Sequence, residues 1–288
     1  IEVKDPWYLY RFFGLIPLWV LALIGISAAT IAYLIWFFKK RAEDKKRYHI
    51  DLDYNQLPKP GPRSAFVGLI AETTKKTYFD LDVMQTHTLV AGSTGGGKTV
   101  AAQSIIEEAL LHGASVLVFD PTVQWTGFLS RCQDKKFLEL YPRFGLKKTD
   151  ARAFNGNIHQ VNDAREVIEF RKFIKPGEIN VFVVNKLETR DYETFVSNVI
   201  RQVFKENMPE SKQLKLVLVF DEFHRLLPKY GGTGQVLIQV ERAAREFRKW
   251  GVGLVLISQV ISDFQSEVLA NINTQIQMRT KDEGDLTR

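Results

Sequence analysis

Hydrophobic residues fall into three regimes along this chain. Positions 12–38 are 27 consecutive uncharged residues, mostly Leu, Ile, Ala, Val and aromatics. A helix of that length reaches ~40 Å, more than the ~30 Å hydrocarbon core of a bilayer, so the stretch predicts one tilted membrane span starting near Pro17. Trp7, Tyr8 and Tyr10 flank one end and Tyr33 and Trp36 the other, where amphipathic rings favour the headgroup region. The run is too long for the apolar part of a cleaved signal peptide, and no small-x-small site precedes the basic residues that follow. Positions 48–62 are polar and contain Pro58, Pro60 and Pro62, which predicts a linker. Beyond them, short apolar runs at 89–91, 116–119, 179–184, 216–220 and 253–257 alternate with more polar segments, with a helix predicted over 100–111, a two-strand pattern over 65–81 and a strand over 275–279. Continuous apolar runs joined by helices predict an α/β domain with a mainly parallel sheet.

Composition removes several classes. With 288 residues, 45% hydrophobic and 25% charged, the chain resembles neither a disordered tail nor a fibrous repeat. Its one cysteine, Cys132, excludes a disulfide framework and multi-cysteine zinc sites, and suits a reducing compartment. The net charge of +6 would suit nucleic acid or an anionic membrane surface. Position separates the two readings. Residues 1–47 hold eight basic and four acidic side chains, so the remaining 241 residues carry only +2. Six of those eight basic residues fall within 39–47, against two before the span, which by the positive-inside rule places the C-terminal side in the cytoplasm.

The densest chemistry follows the apolar run 89–91. Gly92, Ser93, Thr94, Gly95, Gly96, Gly97, Lys98 and Thr99 match the pattern GxxxxGK(S/T) between a strand and a helix that continues at Val100. Glycines let backbone N–H groups close around phosphate oxygens at a helix N-terminus, where the dipole also favours anions. Lys98 is expected to reach the β- and γ-phosphates of ATP and Thr99 to ligate Mg2+. The second half of such a site is an apolar strand ending in carboxylates, which 216–220 followed by Asp221 and Glu222 supplies. Asp221 is expected to hold Mg2+ through water, and Glu222 to polarise the water that attacks the γ-phosphate. Two more strands end in Asp120 and in Ser258-Gln259, at the carboxyl edge where ligands of parallel sheets lie. Asp120 and Gln259 are therefore expected to face the γ-phosphate or its water. Asn185-Lys186-Leu187-Glu188 resembles the guanine-reading motif of GTPases. That reading fails because the Asp-x-x-Gly turn is absent after Asp120, where the fourth position is Val123.

These residues together resemble the FtsK and HerA superfamily of DNA-pumping ATPases, most closely its HerA branch. The resemblance is carried by His87-Thr-Leu-Val-Ala-Gly-Ser-Thr-Gly-Gly-Gly-Lys-Thr99, Phe119-Asp120-Pro121, Val219-Phe220-Asp221-Glu222, and the stretch 245–259 that ends Leu-Ile-Ser-Gln259. It implies a RecA-like P-loop ATPase sheet, a homohexameric ring, ATP bound between neighbours, and an arginine supplied across the interface to the next subunit's γ-phosphate. Arg242, Arg245 and Arg248 are three apart on one predicted helix face, and Arg248 matches the family's arginine best. Each also fits a solvated basic face.

The expected organisation is an anchor with its basic flank at 1–47, a linker at 48–62 and the ATPase domain at 63–288. Where HerA enzymes carry a β-barrel, this chain has the span and linker. Ile1 in place of Met, and an end at Arg288 soon after a strand, lead us to expect further residues upstream and a C-terminally incomplete domain. The anchor shifts the comparison toward membrane-bound HerA-like ATPases of archaeal DNA exchange. The expected partners are DNA without sequence specificity, the membrane, and a membrane channel or pore protein. The stretch 227–234, with Lys229 and Tyr230 among glycines, is a candidate DNA-gripping loop and equally a flexible surface loop. Trp125 is a weaker candidate. Two rival functions remain: an ATPase energising protein or pilus-subunit export, and a nucleotide-dependent membrane scaffold.

Overall fold

The computed structural model describes residues 10–12, 16–46, 53–71, 73–144, 146–259, 261, 264 and 266–280. Trp7, Tyr8, Lys4, Arg47, the start of the linker at 48–52 and the helical turn expected at the C-terminus lie outside the described residues. The chain divides into two units, residues 1–56 and 57–288.

In the first unit a two-residue antiparallel pairing, β1 (Arg11–Phe12) with β2 (Ile16–Pro17), precedes α1 (Leu18–Lys46). Within α1, Trp19–Ala42 has a mean hydropathy of 2.2 and none of it is buried. Among the described residues this is the one helix long and apolar enough to cross a membrane. Its internal polar group is satisfied locally, Thr30 donating to the Ile26 carbonyl at 2.8 Å. Lys40 lies over the Trp36 ring, 5.1 Å from its centroid, so a cation just after the apolar run sits beside the terminal indole.

The second unit opens with an antiparallel hairpin, β3 (Ser64–Leu69) and β4 (Lys76–Asp80). The main sheet then forms from β5 (Thr88–Ala91), β6 (Ser115–Asp120), β7 (Asn155–Gln160), β8 (Glu178–Val183), β9 (Leu216–Phe220), β10 (Val252–Ser258) and β11 (Thr274–Gln277). Its order is β11-β5-β10-β9-β6-β8-β7, and every neighbouring pair is parallel. Between the strands lie α2 (Lys98–Leu111), the short α3 (Lys135–Leu138) and α4 (Phe170–Phe173), α5 (Thr189–Lys205), α6 (Gln235–Glu246) and the short α7 (Ser266–Leu269).

Burial explains the apolar runs. Strands β5, β6, β9 and β10 are buried at every position, because helices cover both faces. Val90, Val116, Val118, Val217, Val219 and Ile257 face α2, while Leu89, Leu117, Phe119, Leu218, Phe220 and Leu254 face α5 and α6. The α5 face Tyr192, Phe195, Val196, Val199, Ile200 and Val203 recurs at helical spacing and is buried throughout. Edge strand β7 reads Asn-Gly-Asn-Ile-His-Gln and forms without an apolar run, because it is covered on one side only. There Gly156 permits close approach, since a Cβ at that position would overlap the Ile179 carbonyl oxygen at 1.6 Å.

Candidate nucleotide site

Between the end of β5 at Ala91 and the start of α2 at Lys98 the chain turns back on itself, so the helix starts over the carboxyl edge of the sheet. Gly97, the N-cap, is left-handed at φ 88. At Gly96 a Cβ would stand 2.8 Å from the Ser93 carbonyl oxygen and 3.1 Å from that of Arg279, so the loop cannot close around a larger residue. The Gly96 N–H donates to the Ser93 carbonyl at 2.9 Å. Ser93 is in turn tied to the segment after β11, its N–H and its hydroxyl donating to the Arg279 carbonyl at 2.8 and 2.9 Å. Lys98 is buried and folds back over the loop, its Nζ 3.4 Å from the Ser93 carbonyl. The first-turn amides of α2 have no intrahelical acceptor, an arrangement that suits an anion. Thr94 and Gly95 are exposed, Thr99 is half-buried, and the Val100 side chain turns outward.

β10 lies between β5 and β9, so Gln259, just past its end, stands between the phosphate loop and the Asp221-Glu222 pair. Asp221 is 1% exposed. One carboxylate oxygen accepts the Trp125 indole N–H at 2.9 Å and the other the Glu222 backbone N–H at 2.8 Å. Desolvation pushes its pKa up to about 6; the two hydrogen bonds oppose that rise, and the nearby Glu222 and Asp120 carboxylates add to it. Tyr192 packs behind, its hydroxyl 3.4 Å from the Asp221 carbonyl and its pKa raised by burial. Glu222 has φ 49 and ψ 41, a left-handed conformation that costs a non-glycine residue about 1–2 kcal/mol. The turn aims Glu222 differently from Asp221: its Oε2 accepts from Gln259 Nε2 and lies within reach of His224 Nε2, each at 3.3 Å.

The Thr99 hydroxyl and the Asp221 carboxylate are the oxygen donors that Mg2+ takes. A carboxylate raised by desolvation is one whose ionised form a neighbouring cation would stabilise, so these residues fit the ion.

Several expectations change here. Asp120 was expected to face the γ-phosphate. Instead its carboxylate accepts from Thr122 N–H (2.8 Å), Thr122 Oγ1 (2.9 Å) and Trp125 N–H (2.8 Å), closing the turn after β6. Trp125 is fully buried between Asp221 and the Phe128 ring, which removes it from any DNA surface. The three arginines do not share one α-helix: α6 ends at Glu246, and Arg248 lies on the following 3-10 turn, Phe247–Trp250. Arg242 pairs with Glu246 at 3.3 Å over the Phe204 ring, and Arg245 pairs with Glu241 at 3.1 Å. Arg248 is exposed and has no ion pair among the described residues.

The stretch 227–234 is an anchored loop. Pro228–Tyr230 forms a 3-10 turn, and Gly232 sits so close to the chain that a Cβ there would meet the Leu226 carbonyl oxygen at 2.1 Å. Buried Glu193 of α5 accepts from Thr233 N–H at 2.6 Å, Thr233 Oγ1 at 2.9 Å and Val236 N–H at 3.2 Å, which caps α6 from outside its own sequence. Asn185 follows β8, four strand spacings or about 19 Å from β5. It is bonded to Gln160 at 3.2 Å.

Sequence reasoning passed over His87, His224 and Glu193. His87 is buried just before β5; its Nδ1 accepts the Leu254 N–H at 3.0 Å and its Nε2–H donates to the Ala244 carbonyl at 2.9 Å, joining β5, β10 and α6. That pattern fixes the neutral ring.

Residues 65–126 match the family described as "Helicase HerA, central domain" and residues 175–281 that described as "Helicase HerA-like C-terminal". The DNA double-strand break repair helicase HerA of Sulfurisphaera tokodaii is 30% identical over 118 residues, 39% of this chain and 24% of that protein. A probable helicase of Methanocaldococcus jannaschii, MJECL08, is 32% identical over 155 residues, 49% of this chain and 30% of that protein. The matched stretches thus span 24% and 30% of the length of these relatives. VirB4 of Thermoanaerobacter pseudethanolicus superposes with a TM-score of 0.50 at 14% identity, over 79% of this chain and 87% of VirB4, and so shares the fold. The two HerA matches bracket the phosphate loop and the acidic strand end, and the chain belongs to the HerA/FtsK-like P-loop ATPases.

Proposed function

We propose that this chain is a membrane-anchored ATPase that translocates DNA, without regard to sequence, across or along the membrane as a homohexameric ring. The anchor and its basic flank are residues 1–47, the linker 48–62 and the ATPase domain 63–288. The observation that carries the hydrolytic part is Glu222, held in a left-handed turn at the end of β9 with Gln259 of the neighbouring strand on its carboxylate. Lys98 and the first-turn amides of α2 bind and orient the phosphates. Glu222 takes the proton from the attacking water, and Gln259 couples the carboxylate to the strand beside the phosphate loop. Mg2+ held by Thr99 and Asp221 would neutralise charge on the β- and γ-phosphates. Arg248, exposed and lacking an ion pair among the described residues, is the residue we assign to the neighbouring subunit's γ-phosphate, with Arg245 second because Glu241 already engages it.

DNA as the cargo is supported by the named HerA relatives. The charge of only +2 on residues 48–288 makes a few loop residues, Lys229 foremost, the contacts to phosphates. The exposed apolar helix and the basic residues after it support the anchor and a cytoplasmic motor, with a channel or pore protein as the partner that completes the path.

ATP turnover of the whole chain in detergent, with and without DNA, tests the reading. Turnover should rise with DNA of any sequence, vanish in Lys98→Ala, and stop in Glu222→Gln with ATP binding retained. Full activity in either variant would overturn the site assignment. Turnover indifferent to DNA, with no DNA bound at low salt, would instead favour a protein-export motor, or a scaffold if turnover were negligible.

A further inference from the structure

The catalytic carboxylate is joined to the proposed DNA loop by one side chain. His224 is buried, two residues past Glu222, in the 3-10 turn Phe223–Leu226. Its Nε2 lies 3.3 Å from Glu222 Oε2. The edge of the same imidazole meets the Tyr230 ring, with centroids 5.1 Å apart and planes at 77°. Tyr230 in turn lies under Lys229, whose Nζ is 5.6 Å from the ring centroid. Glu222, His224, Tyr230 and Lys229 therefore form a continuous line of contacts from the hydrolytic centre to a partly exposed cation and aromatic ring on the loop.

We propose that His224 is a positioning residue that holds the Glu222 carboxylate and makes its availability depend on the loop 227–234; this rests on the assignment of that loop to DNA. Gln259 Nε2–H donates to Glu222 Oε2, and His224 Nε2 lies 3.3 Å from the same oxygen. Contacts on Oε2 occupy the oxygen that would otherwise meet the attacking water and restrain the carboxylate's rotation. Loss of the His224 contact leaves that oxygen less occupied and the carboxylate freer to turn toward water. The loop has a firm outer anchor in Glu193 and a close backbone approach at Gly232, so displacement at Lys229 and Tyr230 is passed inward rather than absorbed. The Tyr230 ring, resting on the imidazole, is the element through which a strand of phosphates gripped by Lys229 shifts His224.

Replacement by Phe keeps a ring against Tyr230 and removes the donor; replacement by Gln keeps an N–H that can reach Glu222. For His224→Phe we expect DNA-free kcat to rise several-fold at unchanged KM for ATP, with the DNA-stimulated to DNA-free ratio falling toward one. His224→Gln should return both values toward wild type. A structural role alone would lower kcat in both variants without changing the ratio. A His224→Phe protein with the wild-type ratio, or a His224→Gln protein that behaves like His224→Phe, would overturn the assignment. Bound ATPγS and an unchanged melting curve report the fold independently. If wild-type turnover ignores DNA, the DNA reading fails by itself. His224 is then judged on the DNA-free kcat, which should still rise with Phe and return with Gln.

Discussion

Lowering the pH should weaken the fold through the joint between the phosphate-loop strand and α6. His87 holds that joint in its neutral form, donating to Ala244 and accepting from Leu254. Burial lowers its pKa from 6.5 to about 4, with the Ala244 bond opposing the fall. A histidine depressed in the folded state contributes stability that is present above pH 6.5 and lost as the pH falls toward 4, because the unfolded chain takes up the proton first. Between pH 7 and pH 5 the linkage relation with these two values gives a loss of about 2 kcal/mol. The assay is denaturant unfolding of the whole chain in a mild detergent, followed by tryptophan fluorescence at several pH values. His87→Gln removes the titrating ring while offering an acceptor and a donor, and every other titration cancels in the difference between the two curves. The wild type should lose about 2 kcal/mol more than the variant over that interval. Parallel curves would refute the reasoning.

Trp125→Phe should keep the stacking on Phe128, whose ring is 5.7 Å away at 14°, and lose the indole bond to Asp221. A hydrogen bond to a charged group is worth about 1.5–3 kcal/mol, so the Asp221 pKa rises further and the acid limb of turnover moves up by roughly 1–2 pH units; titration of turnover with Mg2+ should show a higher requirement at pH 7, and an unmoved acid limb would exclude the role. Gly96→Ala places a methyl against the Ser93 and Arg279 carbonyl oxygens, and should abolish binding of a fluorescent ATP analogue while leaving the unfolding midpoint near wild type.

Much of the fold is legible because a buried parallel strand must be apolar at every position. The runs 116–119, 216–220 and 253–257 announce β6, β9 and β10 for that reason. The amphipathic face of α5, from Tyr192 to Val203, is equally readable from its helical spacing. Strand β7 was not legible, since an edge strand needs no second apolar face and Asn155-Gly156-Asn157 reads as a turn. The break between α6 and Arg248 was also hidden. Nothing in Arg-Glu-Phe-Arg forbids helix, and the change to a 3-10 turn comes with Gly251, left-handed at φ 68 and pressed against the Gln213 carbonyl.

Site chemistry was legible as residue types and not as directions. Asp120, Asp221 and Glu222 all stand at strand ends on one edge of the sheet, and by sequence Asp120 is expected, like Glu222, to face the γ-phosphate or its water while Asp221 holds Mg2+. Their donors separate them. Asp120 has three, all from residues 122 and 125 of its own turn, so its carboxylate is committed to the loop. Asp221 has an indole reaching across from that turn, and so much burial that its charge is costly until a cation stands beside it. Glu222 has the amide of Gln259, just past β10, with the His224 imidazole 3.3 Å away, and its side chain keeps 17% of its surface accessible, the state a base needs to meet water. Trp125 links the first two, its backbone to Asp120 and its ring to Asp221, so the turn that Asp120 closes is also what aims the indole. Asp120→Asn should therefore raise the Mg2+ requirement through Trp125 rather than through any contact with phosphate. The two routes part in the double variant: with Trp125→Phe already present, Asp120→Asn should add little, whereas a direct phosphate contact would add its full effect.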